Sequence, residues 1–213
     1  MNDDKFAGKY RIPSARARWW DYGDHAAYFV TICTVGREWY FGEVVNEEMV
    51  LSELGRVAES EWLKTLDKRP DMNLQLDEYK VMPNHFHAIV VIGENIFNRY
   101  NVVTQCLASD DMNDIAKETQ SIASLQQNHH QPTKNRFAPQ SKNLGAMIRG
   151  YKSAVKSYAT TNGLAFGWQP RFHDHIIRND DEYRRIAEYI RTNPANWSQD
   201  RYNKNDENTN DRP

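Results

Sequence analysis

The order of apolar and polar positions predicts four strands and three helices. The strands are runs rich in β-branched and aromatic residues, and the helices carry apolar residues at a spacing of three to four. The predicted strands cover residues 27–34, 74–82, 85–92 and 167–177. The predicted helices cover residues 51–66, 144–161 and 181–192.

This order of elements predicts the fold class. Strand, helix, strand, strand, helix and strand follow each other as in the split βαβ or ferredoxin-like arrangement, an antiparallel sheet with two helices on one face. Pro83-Asn84 provides a tight turn between the second and third strands. We therefore predict an α+β, ferredoxin-like fold (βαββαβ) with an added C-terminal helix.

The remaining residues form an N-terminal arm, a polar insertion and a C-terminal tail. Residues 1–24 form a basic and aromatic arm, and residues 25–197 form the body. Residues 93–143 are rich in Asn, Gln, Ser and Asp, which predicts a long polar insertion with a short helix near 112–125. Residues 198–213 are charged and rich in Asn, and we predict a disordered tail.

Composition narrows the functional classes. The mean hydropathy is -0.83, no apolar run approaches the roughly 18 residues that a membrane span needs, and no signal-peptide stretch is visible, so we expect a cytoplasmic protein without a membrane partner. The two cysteines do not form a disulfide framework or a zinc site. The net charge is only -2, but basic residues cluster between Lys134 and Arg178, as on a surface that binds a polyanion.

Two histidines lie two residues apart in the apolar run VMPNHFHAIVVI. Side chains at i and i+2 leave the same face of a strand, so His85 and His87 point into one space, as in a two-histidine metal clamp. For an isolated pair, ordinary half-buried strand histidines are the commoner explanation.

The last predicted helix carries Tyr189 and Asn193, which lie one turn apart on one face. A tyrosine beside a divalent cation is a plausible nucleophile toward phosphorus, and an asparagine carbonyl oxygen could complete a site begun by the two histidines. Taken alone, the pair is more commonly a packed tyrosine and a helix-ending asparagine before proline.

Three segments together resemble a known family. MPNHFHAIVVI, the later WQPRFHDHIIR and the closing DEYRRIAEYIRTNP are similar to the single-tyrosine HUH transposases, and most of all to the REP-associated tyrosine transposases that resemble insertion-sequence transposases. The resemblance covers residues 28–197 apart from the insertion. It implies a ferredoxin-like sheet, His85 and His87 as metal ligands, Tyr189 as the nucleophile and Asn193 as the third ligand.

The chemistry implied by this resemblance is cleavage and rejoining of single-stranded DNA. Mg²⁺ or Mn²⁺ is the implied cofactor, a 5′-phosphotyrosine is the implied intermediate, and a REP-like DNA hairpin is the implied partner. Members occur as monomers and as homodimers, so whether Tyr189 serves its own histidines or those of a partner stays open. Two alternatives also stay open: a non-catalytic relative that binds hairpin DNA, and a metal-dependent hydrolase acting through water.

The predicted DNA contacts are basic and aromatic side chains. Phosphate contacts are expected from Arg16, Arg18, Arg149, Lys152, Lys156, Arg171 and Arg178, and base stacking from Trp19, Trp20 and Trp168, for which core packing is the alternative.

Other tyrosines and histidines compete for the site roles. Tyr151 and Tyr158 fit the apolar stripe of their helix, and Tyr183 ranks second to Tyr189 as a nucleophile. His173 and His175 form another H-x-H pair, and we expect His175 near the site, behind the ligands or on a phosphate.

Overall fold

The computed structural model describes residues 5–6, 9–10, 20–98 and 141–203. Its central feature is a four-stranded antiparallel sheet in the spatial order β6 (Leu74–Met82), β7 (His85–Ile92), β3 (Ala26–Cys33) and β8 (His173–Ile177). The strands are β1 (Lys5–Phe6), β2 (Lys9–Tyr10), β3 (Ala26–Cys33), β4 (Gly42–Val45), β5 (Glu48–Leu51), β6 (Leu74–Met82), β7 (His85–Ile92) and β8 (His173–Ile177). The helices are α1 (Glu53–Leu63), α2 (Thr65–Lys68), α3 (Leu144–Thr161) and α4 (Asp180–Thr192). The predicted α+β, ferredoxin-like order with a terminal helix is confirmed.

One face of the sheet is the main core. Alternate residues of β7, including Phe86 and Ala88, point to this face and are fully buried. α1 and α3 cover it, with the Trp62 ring 4.9 Å from that of Phe86 and 5.4 Å from that of Tyr151. The predicted apolar stripes of both helices are confirmed, and Ser52 begins α1 by accepting a hydrogen bond from the Gly55 backbone.

The opposite face of the sheet carries the histidines and α4. Ile89, between His87 and the strand end, packs with Ile177, Ala187 and Ile190 in a smaller apolar cluster. Asn179 begins the helix by accepting a hydrogen bond from the Glu182 backbone. α4 is therefore held on the same side of the sheet as the His85–His87 pair.

Two polar contacts fasten α4 to the edge strand β6. The Tyr183 hydroxyl donates to the Asp77 carboxylate. The Arg191 guanidinium donates to Glu78 Oε1, with its Nη2 at 2.7 Å. Because both partners lie on β6 of the same chain, the position of α4 is fixed within one molecule.

A hairpin between β3 and α1 was not predicted from the sequence. β4 and β5 pair across Asn46 and Glu47, both of which adopt left-handed φ. Such a two-residue turn matches the twist of the flanking strands, but Glu is an uncommon residue at φ > 0. The sequence therefore carried no clear turn signal.

The fourth strand of the main sheet is shorter than predicted. Only His173–Ile177 pairs with β3, whereas the preceding Trp168 forms a single bridge with Thr34. Pro170 has no backbone N–H to donate, and Arg171 has a φ of 67°. The ladder is therefore interrupted before His173.

The predicted tail begins too early. Residues 197–199 form a 3₁₀ turn, Trp197 and Tyr202 are buried, and both pack with Met82 of β6. We refer to residues 196–202 as the C-terminal segment. The two aromatic side chains explain the order, since each buries apolar surface that a charged Asn-rich tail lacks.

Several predictions fall outside the described residues. These are the structure of residues 1–4, 7–8, 11–19 and 204–213, the greater part of the insertion at 93–143, and the contacts of Arg16, Arg18 and Trp19. Among the helices that the structure does describe, none has the length and apolar character needed to cross a bilayer.

Candidate active site

His85 and His87 share one face of β7 and are almost completely buried, with 0 % and 1 % of their surface exposed. Their ring centroids are 4.4 Å apart. The i, i+2 spacing in a strand accounts for this placement, and the register with β3 sets the two rings opposite Cys33 and Thr31.

The ring orientation of His85 is fixed by Asn84. His85 Nδ1 lies 2.9 Å from Asn84 Oδ1, and Asn84 Nδ2 donates to the Tyr202 carbonyl at 2.7 Å. Because a carbonyl can only accept, the second bond fixes which end of the Asn84 amide faces the ring. His85 Nδ1 must then be the protonated nitrogen, and Nε2 keeps its lone pair.

His87 is held in a similar way. Its Nδ1 is paired with Thr31 Oγ1 at 2.8 Å, and its Nε2 lies 3.2 Å from the Tyr189 hydroxyl. Burial, together with the positive charges of Arg201 and His173, lowers the pKa of His87 to about 3. Burial and the neighbouring His87 also hold the pKa of His85 well below its usual range. Both imidazoles are therefore neutral near pH 7 and can offer lone pairs.

Tyr189 projects from α4 toward the histidine pair. Its ring lies 5.2 Å from that of His87 and packs edge-on against Phe29, with centroids 6.3 Å apart. The side chain is 39 % exposed, so it faces both the histidines and solvent. Burial of the hydroxyl, followed by the negative charge of Asp200, raises the pKa of Tyr189 to about 12. The resting hydroxyl is therefore protonated.

Asn193 ends α4 and is buried beside the pair, with 1 % of its surface exposed. Its Nδ2 donates to Asp200 Oδ2 at 2.8 Å. Within the described part of the chain, neither Asn193 Oδ1 nor His85 Nε2 has a hydrogen-bond partner, although both are buried. Two unpaired electron-pair donors at one site are costly unless a further group uses them.

These side chains open into a cleft of about 530 Å³ between the sheet, α4 and the C-terminal segment. The lining residues are Phe29, His87, Tyr189, Asn193, Asn196, Gln199, Asp200 and Arg201. The structure thus brings together all four residues that the sequence singled out as nucleophile and ligands.

The donor set suits a divalent cation. His85 Nε2, His87 Nε2 and Asn193 Oδ1 are two imidazole nitrogens and an amide oxygen, which Mn²⁺ accepts well and Mg²⁺ tolerates with added water. Over residues 20–98 and 141–203, no group of three or more His, Cys, Asp or Glu side chains is placed to hold a metal. Any cation at this site would therefore depend on the asparagine as the third protein ligand.

The competing tyrosines are committed elsewhere. The Tyr183 hydroxyl binds Asp77. Tyr151 is buried in the main core, and the Tyr158 hydroxyl donates to Glu53 Oε1 at 2.6 Å. Among the tyrosines that the sequence offered as nucleophiles, Tyr189 is therefore the one that contacts the histidine pair.

The second H-x-H pair lies on β8, and one of its histidines contacts α4. His175 Nε2 lies 2.8 Å from Glu182 Oε1, at the beginning of α4. His173 is opposite Thr31 in the register of β8 with β3. The role expected of His175, behind the metal ligands or on a phosphate, stays a prediction.

Two of the lysines predicted to contact phosphates bind backbone carbonyls of the chain itself. The Lys152 ammonium donates to the carbonyls of Gln169 and Arg171, and the Lys156 ammonium donates to that of Phe166. Both lysines belong to α3, which covers the sheet face opposite the histidines. The phosphate contacts of Lys152 and Lys156 stay predictions, which would require these ammonium groups to serve DNA as well as the carbonyls.

The other basic positions are exposed. Arg149 is on the same helix as the lysines, Arg171 precedes β8, and Arg178 follows it, beside the beginning of α4. Trp168 packs with the main core and donates to the Lys152 carbonyl, which is the core role given as its alternative. Trp20 donates to the Tyr28 hydroxyl and also packs against the core.

Sequence reasoning missed the residues that support the site, including Thr31 beside His87. Asn84 was assigned only to a turn, and Asp200, Arg201 and Tyr202 were assigned to the tail. Tyr202 stacks on His85 with centroids 4.5 Å apart, and Arg201 Nη2 donates to its hydroxyl at 2.8 Å. The aromatic residues at 197 and 202 were the available signal that the chain remains packed there.

A known sequence and a solved structure are similar to this chain. No family model matches the chain. A 45-residue stretch, 21 % of this chain, is 40 % identical to the REP-associated tyrosine transposase of Escherichia coli and covers 27 % of that protein. The solved structure of a REP-associated tyrosine transposase bound to a REP hairpin aligns with a TM-score of 0.48 and 17 % identity, over 87 % of this chain and 74 % of the other.

The relation to a full-length protein is stronger. An uncharacterized protein of Haemophilus influenzae is 31 % identical over 195 residues, which is 91 % of this chain and 94 % of that protein. The two sequences therefore share the whole body and not only one motif. The chain belongs to the same family as this Haemophilus influenzae protein.

Proposed function

We propose that the chain is a metal-dependent single-stranded DNA endonuclease and strand transferase of the transposase type. The observation that carries this proposal is the Tyr189 hydroxyl, 3.2 Å from His87 Nε2 in an open cleft that also contains Asn193. The 45-residue similarity to a REP-associated tyrosine transposase supports the same reaction class. The DNA partner that we propose is a hairpin with a single-stranded flank.

His85 Nε2, His87 Nε2 and Asn193 Oδ1 would hold Mg²⁺ or Mn²⁺. When bound, the cation supplies positive charge beside the scissile phosphate and the attacking oxygen. The chain itself fixes the geometry, because Asn84 and Thr31 orient the two rings and α4 aims the hydroxyl at the same space.

The proposed step is a transesterification. Tyr189 Oη forms a bond to phosphorus, and the bond from phosphorus to the 3′ oxygen breaks. The tyrosine gives up one proton and the departing oxygen gains one, so a 5′-phosphotyrosine and a free 3′-OH result. The reverse step with another 3′-OH joins strands and needs no external energy source.

The reaction occurs within one molecule in this proposal. Tyr189 contacts His87 of its own chain, and Tyr183 and Arg191 fasten the helix to the β6 strand of that chain. These contacts support a complete site in a monomer.

The test is the formation of a covalent adduct. The protein is incubated with a labelled single-stranded hairpin oligonucleotide and Mn²⁺, and the products are separated on a denaturing gel. The wild type and Tyr183→Phe should give a protein–DNA adduct, whereas Tyr189→Phe should give none. An adduct that persists in Tyr189→Phe would refute the assignment of the nucleophile.

Two further results separate the other candidate functions. Cleavage without an adduct indicates attack by water, and binding without cleavage indicates a non-catalytic DNA-binding protein. His85→Ala and His87→Ala should each abolish cleavage and leave affinity for the hairpin largely intact. Equal loss of both properties would indicate a role in folding instead.

A further inference from the structure

The C-terminal segment reaches the candidate metal site through a carboxylate. Asp200 Oδ2 accepts the hydrogen bond from Asn193 Nδ2, and Asp200 Oδ1 accepts one from the Tyr202 backbone at 2.7 Å. Both carboxylate oxygens are therefore used, one toward the site and one within the segment.

The hydrogen bond determines the orientation of the Asn193 amide. A carboxylate only accepts, so the nitrogen end of the amide must face Asp200. Asn193 Oδ1 then faces the other way, and it is the buried oxygen that has no partner among the described residues. Rotation of the amide by 180° would place its oxygen against the carboxylate and its N–H groups against the site.

The carboxylate is itself held firmly. Asp200 N donates to the Trp197 carbonyl at 3.1 Å, and the Asn203 backbone donates to the Asp200 carbonyl at 3.0 Å. The buried rings of Trp197 and Tyr202 anchor the segment on either side of Asp200, near the beginning of β7 at His85. The position of Asp200 is therefore set by packing and not by a flexible surface loop.

We propose that Asp200 is a positioning residue, which holds the Asn193 carbonyl oxygen toward His85 and thereby completes the metal-binding set. This role rests on the proposed metal-dependent function. The carboxylate acts through the amide, as an outer hydrogen-bond partner of a ligand. Removal of such partners lowers metal affinity by about 10–100-fold in other proteins.

The experiment measures metal binding without DNA. Co²⁺ is titrated into the full chain and followed by its visible absorption, and Mn²⁺ binding is followed by electron paramagnetic resonance. Asp200→Ala should weaken binding by about 10–100-fold. Asp200→Asn retains one side-chain oxygen that can accept from Asn193, so it should lower the metal affinity less. Glu48→Gln removes one negative charge from the exposed β4–β5 hairpin and should bind like the wild type.

A double-variant cycle tests whether Asp200 acts through Asn193. Asn193→Ala should weaken binding, and Asp200→Ala added to it should cause no further loss, since the amide to be oriented is absent. Additive losses would overturn the positioning role and indicate that Asp200 contacts the metal directly. Thermal unfolding of each variant identifies losses that come from misfolding, for which Asp200→Asn is the milder substitution.

The outcomes also separate this role from the proposed function. A wild type that binds neither Co²⁺ nor Mn²⁺ overturns both. Wild-type binding with unchanged affinity in Asp200→Ala overturns the positioning role alone. Weakened binding in Asp200→Ala, partial recovery in Asp200→Asn and a non-additive cycle together support it.

Discussion

Replacement of Asn84 by alanine tests whether the turn residue before His85 supports the site. The side chain makes two buried hydrogen bonds, one from Nδ2 to the Tyr202 carbonyl and one from His85 Nδ1 to Oδ1. Asn84 does not adopt left-handed φ, so alanine fits the backbone without strain. Its own carbonyl continues to accept from the backbone N–H and the hydroxyl of Thr34. The effect therefore comes from the amide alone.

The magnitude follows from the groups left behind. Alanine leaves the His85 Nδ1–H and the Tyr202 carbonyl buried without partners, at a cost of about 1–3 kcal/mol each. The free energy of unfolding should therefore fall by about 2–6 kcal/mol. At about 2–4 °C per kcal/mol for a body of this size, a loss of about 3 kcal/mol lowers the Tm by about 6–12 °C.

The assay is urea unfolding followed by tryptophan fluorescence, with a thermal scan beside it. Asn162→Ala is the matched control, because it removes a single exposed hydrogen bond, from the Asn162 side-chain amide to the Tyr158 carbonyl. It should cost about 0.5–1 kcal/mol. In a His85→Ala background, Asn84→Ala should cost less than in the wild type, since one of its two bonds is already absent.

Two results would refute this reasoning. One is a loss for Asn84→Ala no larger than that for Asn162→Ala, which would mean that water or a rearranged side chain satisfies the buried groups. The other is full additivity with His85→Ala, which would mean that the amide does not orient the ring. If the reasoning holds, Co²⁺ affinity should also fall by about 10–100-fold, because the ring loses the partner that keeps Nε2 unprotonated.

Three further outcomes are expected. Mixing Tyr189→Phe with His87→Ala should not restore adduct formation, since each monomer lacks half of its own site; a restored adduct would show exchange between subunits. Arg201→Ala should slow cleavage by about 10–100-fold in single-turnover assays, because a cation beside the attacking oxygen is lost. Arg201→Lys keeps the charge and should have a smaller effect. An unchanged rate in Arg201→Ala would exclude this electrostatic role. Tyr202→Ala should lower the free energy of unfolding, measured in urea, by about 3–5 kcal/mol, because the ring beside His85 is removed. Tyr202→Phe keeps the ring and should keep most of the stability. Equal effects of the two variants would show that the hydroxyl, not the ring, provides the stabilisation.

The sequence predicted the fold where local patterns and packing agree. The β6–β7 pair and α3 were predicted with the bounds that the structure has, because the strand alternation and the helical stripe are both strong there. The β4–β5 hairpin was missed because its turn uses Asn46 and Glu47 at left-handed φ without glycine. That conformation depends on pairing of the flanking strands, which no local signal reveals.

The site was predicted only as far as its residue types are unusual. His85, His87, Tyr189 and Asn193 stand out as a metal-binding pair and a nucleophile with a polar neighbour. Their supporting groups do not stand out. Asn84 is an ordinary turn residue, and Asp200 lies in a charged stretch whose composition indicates disorder. Composition is an average over many residues. The packing of the C-terminal segment depends instead on two buried rings, those of Trp197 and Tyr202.

The two-residue turn between β6 and β7 helps to set the register that places His85 and His87 on one face of the sheet. A shift of β7 by one position against its neighbours would exchange the two faces of the strand. Both imidazoles would then enter the apolar core, and Phe86 would face the cleft. One inserted or deleted residue at Pro83-Asn84 would therefore remove the site and the core packing in a single event. We expect length variation in this family to be tolerated elsewhere in the chain, but not in this turn.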